Sequence, residues 1–261
     1  MPQMAANLSM LFTELPFMQR FEAAAKAGFT QVEYLFPYEY EAEQLRAELD
    51  KYHLTQVLHN LPPGDWAAGE RGIACLPDRV DEFAHSLEQG IAYATALGVH
   101  QLNCLAGIQP AGVSDEQAMA VLVGNVRLAG ETLKAHGIRL LLEPINHFDM
   151  PGFFVNTTAK GLAVLDEAGS DNAYLQYDIY HAQRMEGELA NTMAKHLPRI
   201  AHMQLADNPG RGEPGTGEIN YAFLFAHLDA IGYKGSIGCE YKPKAGTEAG
   251  LAWLQRYDVQ L

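Results

Sequence analysis

Eight short apolar runs alternating with longer amphipathic stretches predict a (β/α)8 TIM barrel, one domain over residues 1–261. Two further observations support that class. Glycine or proline closes most of the amphipathic stretches before the next apolar run begins. The first run is followed by Asn7-Leu8-Ser9-Met10-Leu11, which lacks the glycines of the phosphate-binding turn expected in a doubly wound sheet.

The expected strands cover 5–8, 31–35, 56–59, 101–105, 139–143, 174–178, 201–205 and 236–240. Several are Leu-rich or β-branched without strict alternation, as suits parallel strands covered on both faces. The first helix, 17–27, reads FMQRFEAAAKA and stops at Gly28. The second, 41–52, places Ala42, Leu45 and Leu49 on one face. A long third helix, 79–97, ends at Gly98. Ser114-Asp115-Glu116-Gln117 reads as a capping box opening a helix that runs to His136 and stops at Gly137. Further helices are expected over 158–168 before Gly169, 186–197 before Pro198, 221–231 before Gly232, and 247–257. Two connections exceed what a barrel needs: 60–78, with PPGDWAAGERG, and 207–220, with NPGRGEPGTGEIN. Both follow strands and so lie at the barrel mouth, as lids, binding loops or surface decoration.

Composition bounds the partners. With 48% hydrophobic residues in 261, the chain can bury a large core. A net charge of −14 opposes binding to nucleic-acid backbones and anionic membranes. Cys75, Cys104 and Cys239 show no paired spacing and read as reduced, buried thiols of a cytosolic protein. No apolar run approaches the ~20 residues of a membrane span, and the N-terminus has no signal-peptide pattern, so a cytoplasmic location is expected. Exposed helices around a barrel leave a homo-oligomer open.

Four polar residues close or nearly close the later apolar runs: Glu143 (IRLLLEP), Asp178 (AYLQYDIYH), Gln204 (IAHMQLAD) and Glu240 (SIGCEY). Each is about one strand-plus-helix unit, ~30 residues, from the next. The C-terminal ends of barrel strands converge on one mouth, so these residues are expected to meet. Three carboxylates brought together repel unless a cation lies between them. With one amide oxygen they form a hard, oxygen-rich set suited to Mg²⁺ or Mn²⁺. A single strand-end carboxylate is more often a cap or ion-pair partner; the shared position of three favours a metal. No Ser-His-Asp or Cys-His spacing points to covalent catalysis. Glu143 and Glu240 could flank a chelated substrate, one removing a carbon-bound proton and the other returning a proton to the neighbouring carbon. That is an aldose–ketose isomerisation.

Other residues fit around this site. His181, three positions after Asp178, is either a substrate hydrogen-bonding group or structural. Arg211, Lys242 and Arg71 are candidates to hold a substrate carboxylate, or are ordinary solvated charges. His59 closes the third strand and is a further pocket candidate. His202 shares the face of Gln204 one layer deeper and reads as core or support. Trp66 reads as an apolar lid or as rim packing.

The stretches AANLSMLF, LHNLPPGDWAAGERGIAC, EPINHFDMPGF, QYDIYHAQRMEGEL, QLADNPGRGEPGTGEINY and GCEYKP resemble the hydroxypyruvate isomerase family, within the xylose-isomerase-like barrels. The resemblance runs nearly end to end. It implies metal ligands at Glu143, Asp178, Gln204 and Glu240, and proton transfer by Glu143 and Glu240. The implied reaction interconverts hydroxypyruvate and tartronate semialdehyde through an enediolate, feeding glycerate metabolism in glyoxylate-related pathways. The substrate is a small carboxylated keto or aldehyde compound. A related branch isomerises 2-oxo-tetronates, one carbon longer. GDWAAGERG, with Trp66 and Arg71, and EPINHFDMPGF look more like the hydroxypyruvate branch. More distant barrels of this kind are ketose 3-epimerases and an endonuclease of abasic DNA. In both, a histidine commonly stands where Gln204 is here, and the charge of −14 weighs against the nuclease.

Overall fold

The computed structural model describes residues 2–259 and 261. Eight parallel strands close into a barrel in sequence order: β1 Gln3–Asn7, β2 Gln31–Glu33, β3 Thr55–Asn60, β4 Gln101–Cys104, β5 Arg139–Leu142, β6 Ala173–Asp178, β7 Ile200–Leu205 and β8 Ser236–Cys239. β1 pairs with β8, which removes both sheet edges. Helices α1 (Arg20–Lys26), α2 (Ala42–Lys51), α3 (Val80–Leu97), α4 (Asp115–Lys134) and α5 (Thr158–Ala168) lie between the first six strands. Then come α6 (Ile179–Met185), α7 (Leu189–His196), α8 (Tyr221–Ile231), α9 (Thr247–Gly250) and α10 (Ala252–Arg256).

Capping explains several boundaries. Ser114 accepts from the Gln117 N–H while the Gln117 side chain accepts from the Ser114 N–H, so the expected capping box opens α4. Gly98, Gly169 and Gly232 close α3, α5 and α8 in the left-handed conformation that glycine adopts without strain.

Four segments differ from the sequence expectation. Phe17–Gln19 is a 3-10 turn ahead of α1. β2 is shorter than expected, and its register with β3 shifts between Val32 and Glu33, a bulge after which Glu33 pairs with Leu58. The helix expected over 186–197 is α7, and an unexpected helix, α6, precedes it. α6 starts directly at the end of β6, and Gly187 and Glu188, both with positive φ, separate it from α7. The C-terminal helix is likewise broken at Leu251.

Successive strand residues face opposite ways, and here the two faces differ in polarity. Met4, Val32, Leu102, Leu140, Leu142, Leu175, Met203 and Ile237 belong to the large apolar cluster between barrel and helices. Residues on the alternate positions are largely polar: Glu33, Gln176, His202 and Gln204 are buried and bond to one another across the lumen, and buried Asn103 donates to Glu143. The strands are therefore covered on both faces, and the outer face is the more apolar of the two.

Candidate metal and proton-transfer site

Glu143 directly follows β5, Asp178 ends β6, and Glu240 directly follows β8. The barrel brings one side-chain ligand atom from each of Glu143, Asp178, Glu240 and His181 within 4.8 Å of one another. All four residues are buried. His181 reaches the group because Asp178 caps α6: its Oδ1 accepts from the N–H groups of Tyr180 (2.7 Å) and His181 (3.3 Å). One carboxylate thus both belongs to the cluster and starts the helix that delivers its neighbour.

The remaining contacts are sparse for so much buried charge. Glu143 Oε2 accepts from Asn103 Nδ2 at 2.9 Å. Glu240 Oε1 accepts a long bond from Asn7 Nδ2, 3.4 Å, and its Oε2 bonds the Arg211 guanidinium. Asp178 Oδ2 is buried with no hydrogen-bond partner among the described residues; Arg211 Nη2 stands 3.8 Å away and His181 Nε2 3.6 Å away. Burial pushes the Glu143 carboxyl well up, and the charges of Glu240 and Asp178 add to it. Burial also raises Asp178 and pushes Glu240 up to about 7, against the pull of Arg211. Burial holds His181 well below the usual imidazole range, with Arg211 and Arg184 acting the same way. An orphaned carboxylate oxygen inside an under-compensated acidic cluster is what a divalent cation would relieve, so the donor set fits a metal.

Arg211 comes from the loop between β7 and α8. Asp207 organises that loop by accepting from the N–H groups of Gly215, Gly217 and Ile219 at 2.8, 2.9 and 3.0 Å. A Cβ at Gly217 would lie 2.0 Å from the Asn208 carbonyl oxygen, so only glycine fits there. The Arg211 carbonyl accepts from Lys242 N at 2.7 Å, and its guanidinium lies 5.3 Å from the Tyr180 ring centre. Burial opposes the Arg211 charge, but Glu240, Asp178 and Glu143 outweigh it and raise its pKa.

Gln204 pairs with Asp178 in the β6–β7 register. Its Nε2 donates to Glu33 Oε1 at 2.8 Å and its Oε1 accepts from Gln176 at 2.7 Å. One lone pair of that oxygen remains for a further partner.

Three other expected pocket residues are engaged elsewhere. His59 turns outward with Gln56 (3.2 Å) and the Tyr38 ring, while its neighbour Asn60 faces the lumen, where Asn103 donates to it at 3.1 Å. One-residue alternation along β3 separates the two. The Lys242 side chain is exposed, and only its backbone braces Arg211. Arg71 donates to the carbonyls of Trp66 and Glu70 and stacks on Trp66, whose ring packs at 4.9 Å from Phe36. It is tied into its own loop.

The sequence reading missed a supporting group. Glu33, 1% exposed, accepts from Asn7 (2.9 Å), Gln204 (2.8 Å) and His202, whose Nε2 lies 2.7 Å away. Asn7, Asn60 and Asn103 add amides at or near the ends of β1, β3 and β4. The strand-end signal that marked Glu143 also marks these residues, and Glu33 was visible as a lone charge within an apolar run.

A family profile described as xylose isomerase-like TIM barrel matches residues 21–257. Hydroxypyruvate isomerase of Escherichia coli is 54% identical over 257 residues, covering 98% of this chain and 100% of the relative. The 2-oxo-tetronate isomerase of Cupriavidus necator is 46% identical, covering 98% and 99%. A crystal structure described as an AP endonuclease, family 2, from Brucella melitensis superposes with a TM-score of 0.96 at 43% identity, covering 98% and 99%. L-ribulose 3-epimerase, 23% identical, shares the fold at a TM-score of 0.76, covering 98% of this chain and 86% of that one. The closed barrel and these full-length likenesses show that the chain belongs to the xylose isomerase-like TIM barrel family, alongside the hydroxypyruvate isomerases.

Proposed function

We propose that the chain is a cytoplasmic metal-assisted isomerase interconverting hydroxypyruvate and tartronate semialdehyde (2-hydroxy-3-oxopropanoate). The observation that carries this is the pair Glu143 and Glu240, two buried glutamates with raised pKa in one 4.8 Å cluster. A carboxyl titrating near neutrality can take or give a proton at working pH. The 54% identity to an isomerase of this name supports the same reading.

The forward reaction moves one carbon-bound proton. One glutamate, as carboxylate, takes the proton from the hydroxyl-bearing carbon of hydroxypyruvate, and the electron pair left behind forms the enediolate. The other, as carboxylic acid, delivers a proton to the former carbonyl carbon. The hydroxyl proton passes to the former carbonyl oxygen, so atoms and charge balance. Proton exchange with solvent resets the pair. Glu143, Asp178 and Glu240, with Gln204 as neutral donor, would hold Mg²⁺ or Mn²⁺. When bound, that ion polarises a substrate carbonyl and makes the adjacent C–H more acidic. Arg211 is the cation aimed at the cluster and suits a substrate carboxylate.

A second reading, a 2-oxo-tetronate isomerase using the same groups, is favoured by the 46% full-length identity to an enzyme of that name. Turnover of hydroxypyruvate beside a 2-oxo-tetronate, before and after EDTA and with Mg²⁺ or Mn²⁺ restored, separates the two. Metal-restored conversion of hydroxypyruvate is expected. Preference for the four-carbon acid would replace the substrate and keep the mechanism. Turnover of neither would overturn the isomerase reading.

A further inference from the structure

His181 is one of four residues placed to contribute to a metal cluster, and geometry alone would admit its Nε2 as a ligand. Its other ring nitrogen decides the matter. The backbone N–H of Asp149 donates to Asn146 Oδ1 at 2.9 Å. A backbone N–H only donates, so the atom facing it is the amide oxygen of Asn146. The amide nitrogen therefore lies on the other side, where it donates to Asp149 Oδ2 at 3.1 Å. That same Nδ2 stands 2.6 Å from His181 Nδ1. The Asn146 backbone N–H also approaches Nδ1, at 3.4 Å. An amide NH₂ and a backbone N–H have nothing to accept with, so Nδ1 is the acceptor and carries no proton. In a neutral imidazole the proton then resides on Nε2.

Asp149 is itself fixed. Arg184 donates to its Oδ1 at 2.7 Å and the Tyr180 hydroxyl to its Oδ2 at 2.8 Å. Asn146 is fully buried. The chain of contacts runs from Arg184 and Tyr180 through Asp149 and Asn146 to one nitrogen of one histidine.

We propose that Asn146 and Asp149 lock His181 as the Nε2–H tautomer, so that it is a hydrogen-bond donor to a substrate oxygen and not a metal ligand. A ligating histidine normally points its second nitrogen at an acceptor, which frees the first for the metal. Here the second nitrogen faces donors, the reverse arrangement. The Nε2–H points at Asp178 Oδ2 and Glu143 Oε1 from 3.6 and 3.9 Å, beyond hydrogen-bond length, and so remains available to a group entering between them. Asn146 and Asp149 are positioning residues acting through His181. The donor role rests on the isomerase reading; the tautomer does not.

The test is ¹⁵N NMR of the histidine side chains in the full protein. His181 is assigned by comparison with His181→Gln, first after EDTA and then with Mg²⁺ added. The expected spectrum has an unprotonated Nδ1 and a protonated Nε2 in both states. A proton on Nδ1, or an Nε2 that loses its proton when Mg²⁺ is added, would overturn the proposal. Asn146→Asp puts an acceptor against Nδ1, and the proton is expected to move there, with kcat falling about 10–100-fold as for other supporting contacts. A folded variant retaining Nε2–H would remove Asn146 from the role, and one with the flipped tautomer and unchanged kcat would remove the donor function. Should Asn146→Asp fail to fold, the wild-type spectrum still decides the tautomer. Absent turnover of both hydroxypyruvate and the 2-oxo-tetronate, with the Nε2–H form intact, would overturn the isomerase reading alone.

Discussion

Glu33 and Glu240 are both buried glutamates in one barrel lumen, and a single amide, Asn7, donates to both. Their surroundings differ. Glu33 accepts from Asn7, Gln204 and His202 at 2.7–2.9 Å, enough to balance a buried carboxylate. Glu240 has one long bond from Asn7 and shares Arg211 with Asp178, while Glu143 stands in the same cluster. The lower carboxylate is fully partnered by the protein; the upper ones are left with fewer partners and raised pKa values. Residue type and burial are the same in both layers, and partnering separates a support from a working group.

Replacing each glutamate with glutamine is the sharpest way to break this comparison. Glu240→Gln removes a proton carrier and is expected to lower kcat by roughly 10²–10⁴ while the protein stays folded. Steady-state kinetics with a melting curve read this directly, and near-normal turnover would remove Glu240 from proton transfer. Glu33→Gln should behave in the opposite way. Its new NH₂ would face donors, leaving a buried bond unmade at a cost of about 1–3 kcal/mol in stability. The freed Gln204 amide should lower Mg²⁺ affinity by about 10–100-fold. Calorimetric titration with the metal and chemical denaturation test both, and a Glu33→Gln protein as stable as the parent would mean the layers do not differ as described.

The upper layer was legible in the sequence because four strands each end on a polar residue after an apolar run, and barrel topology supplies the convergence. His59 was misplaced because a one-residue step along β3, beside the β2–β3 bulge, decides whether His59 or Asn60 faces inward. α6 was missed because no loop separates it from β6: Asp178 is strand end and helix cap at once. Asn146 was invisible for a different reason. Its role depends on which of its two amide atoms meets Asp149, and only three-dimensional contacts show that.

The third prediction concerns pH and metal together. Glu240 is raised from 4.5 to about 7 by burial, with Glu143 and Asp178 raised as well. Between those values these carboxyls bind more protons in the folded, metal-free protein than in the unfolded chain, so their contribution to stability falls as pH rises, while the lowered His59 and His181 contribute in the opposite sense up to the ordinary imidazole value. Each about 1 kcal/mol of this linkage moves Tm by ~2–4 °C in a protein near this size. Metal-free Tm should therefore drop relative to that of Glu240→Gln from pH 5 to pH 7.5, because the two proteins share the histidine contributions. Mg²⁺ or Mn²⁺ should raise Tm more at pH 7.5, where it need not displace protons. A Tm gain from metal that is equal at both pH values would show that the cluster is not the binding site.

The smallest effect is expected at the rim. Lys242 is exposed, and the contact that matters to the site is its backbone N–H on the Arg211 carbonyl, which any residue but proline retains. Lys242→Ala should thus change stability and kcat/KM by no more than about 0.5 kcal/mol, the range of surface substitutions without a buried partner. Arg211→Ala, measured beside it, removes a guanidinium that touches Glu240 and lies 3.8 Å from Asp178. Removing one member of a buried charge pair costs about 3–5 kcal/mol. That loss should show most in metal-free protein, where no other cation balances the cluster, and shrink on adding Mg²⁺. A KM raised about tenfold or more by Lys242→Ala, with Arg211→Ala neutral, would move the substrate carboxylate from the buried arginine to the exposed lysine and place anion binding at the rim of the barrel.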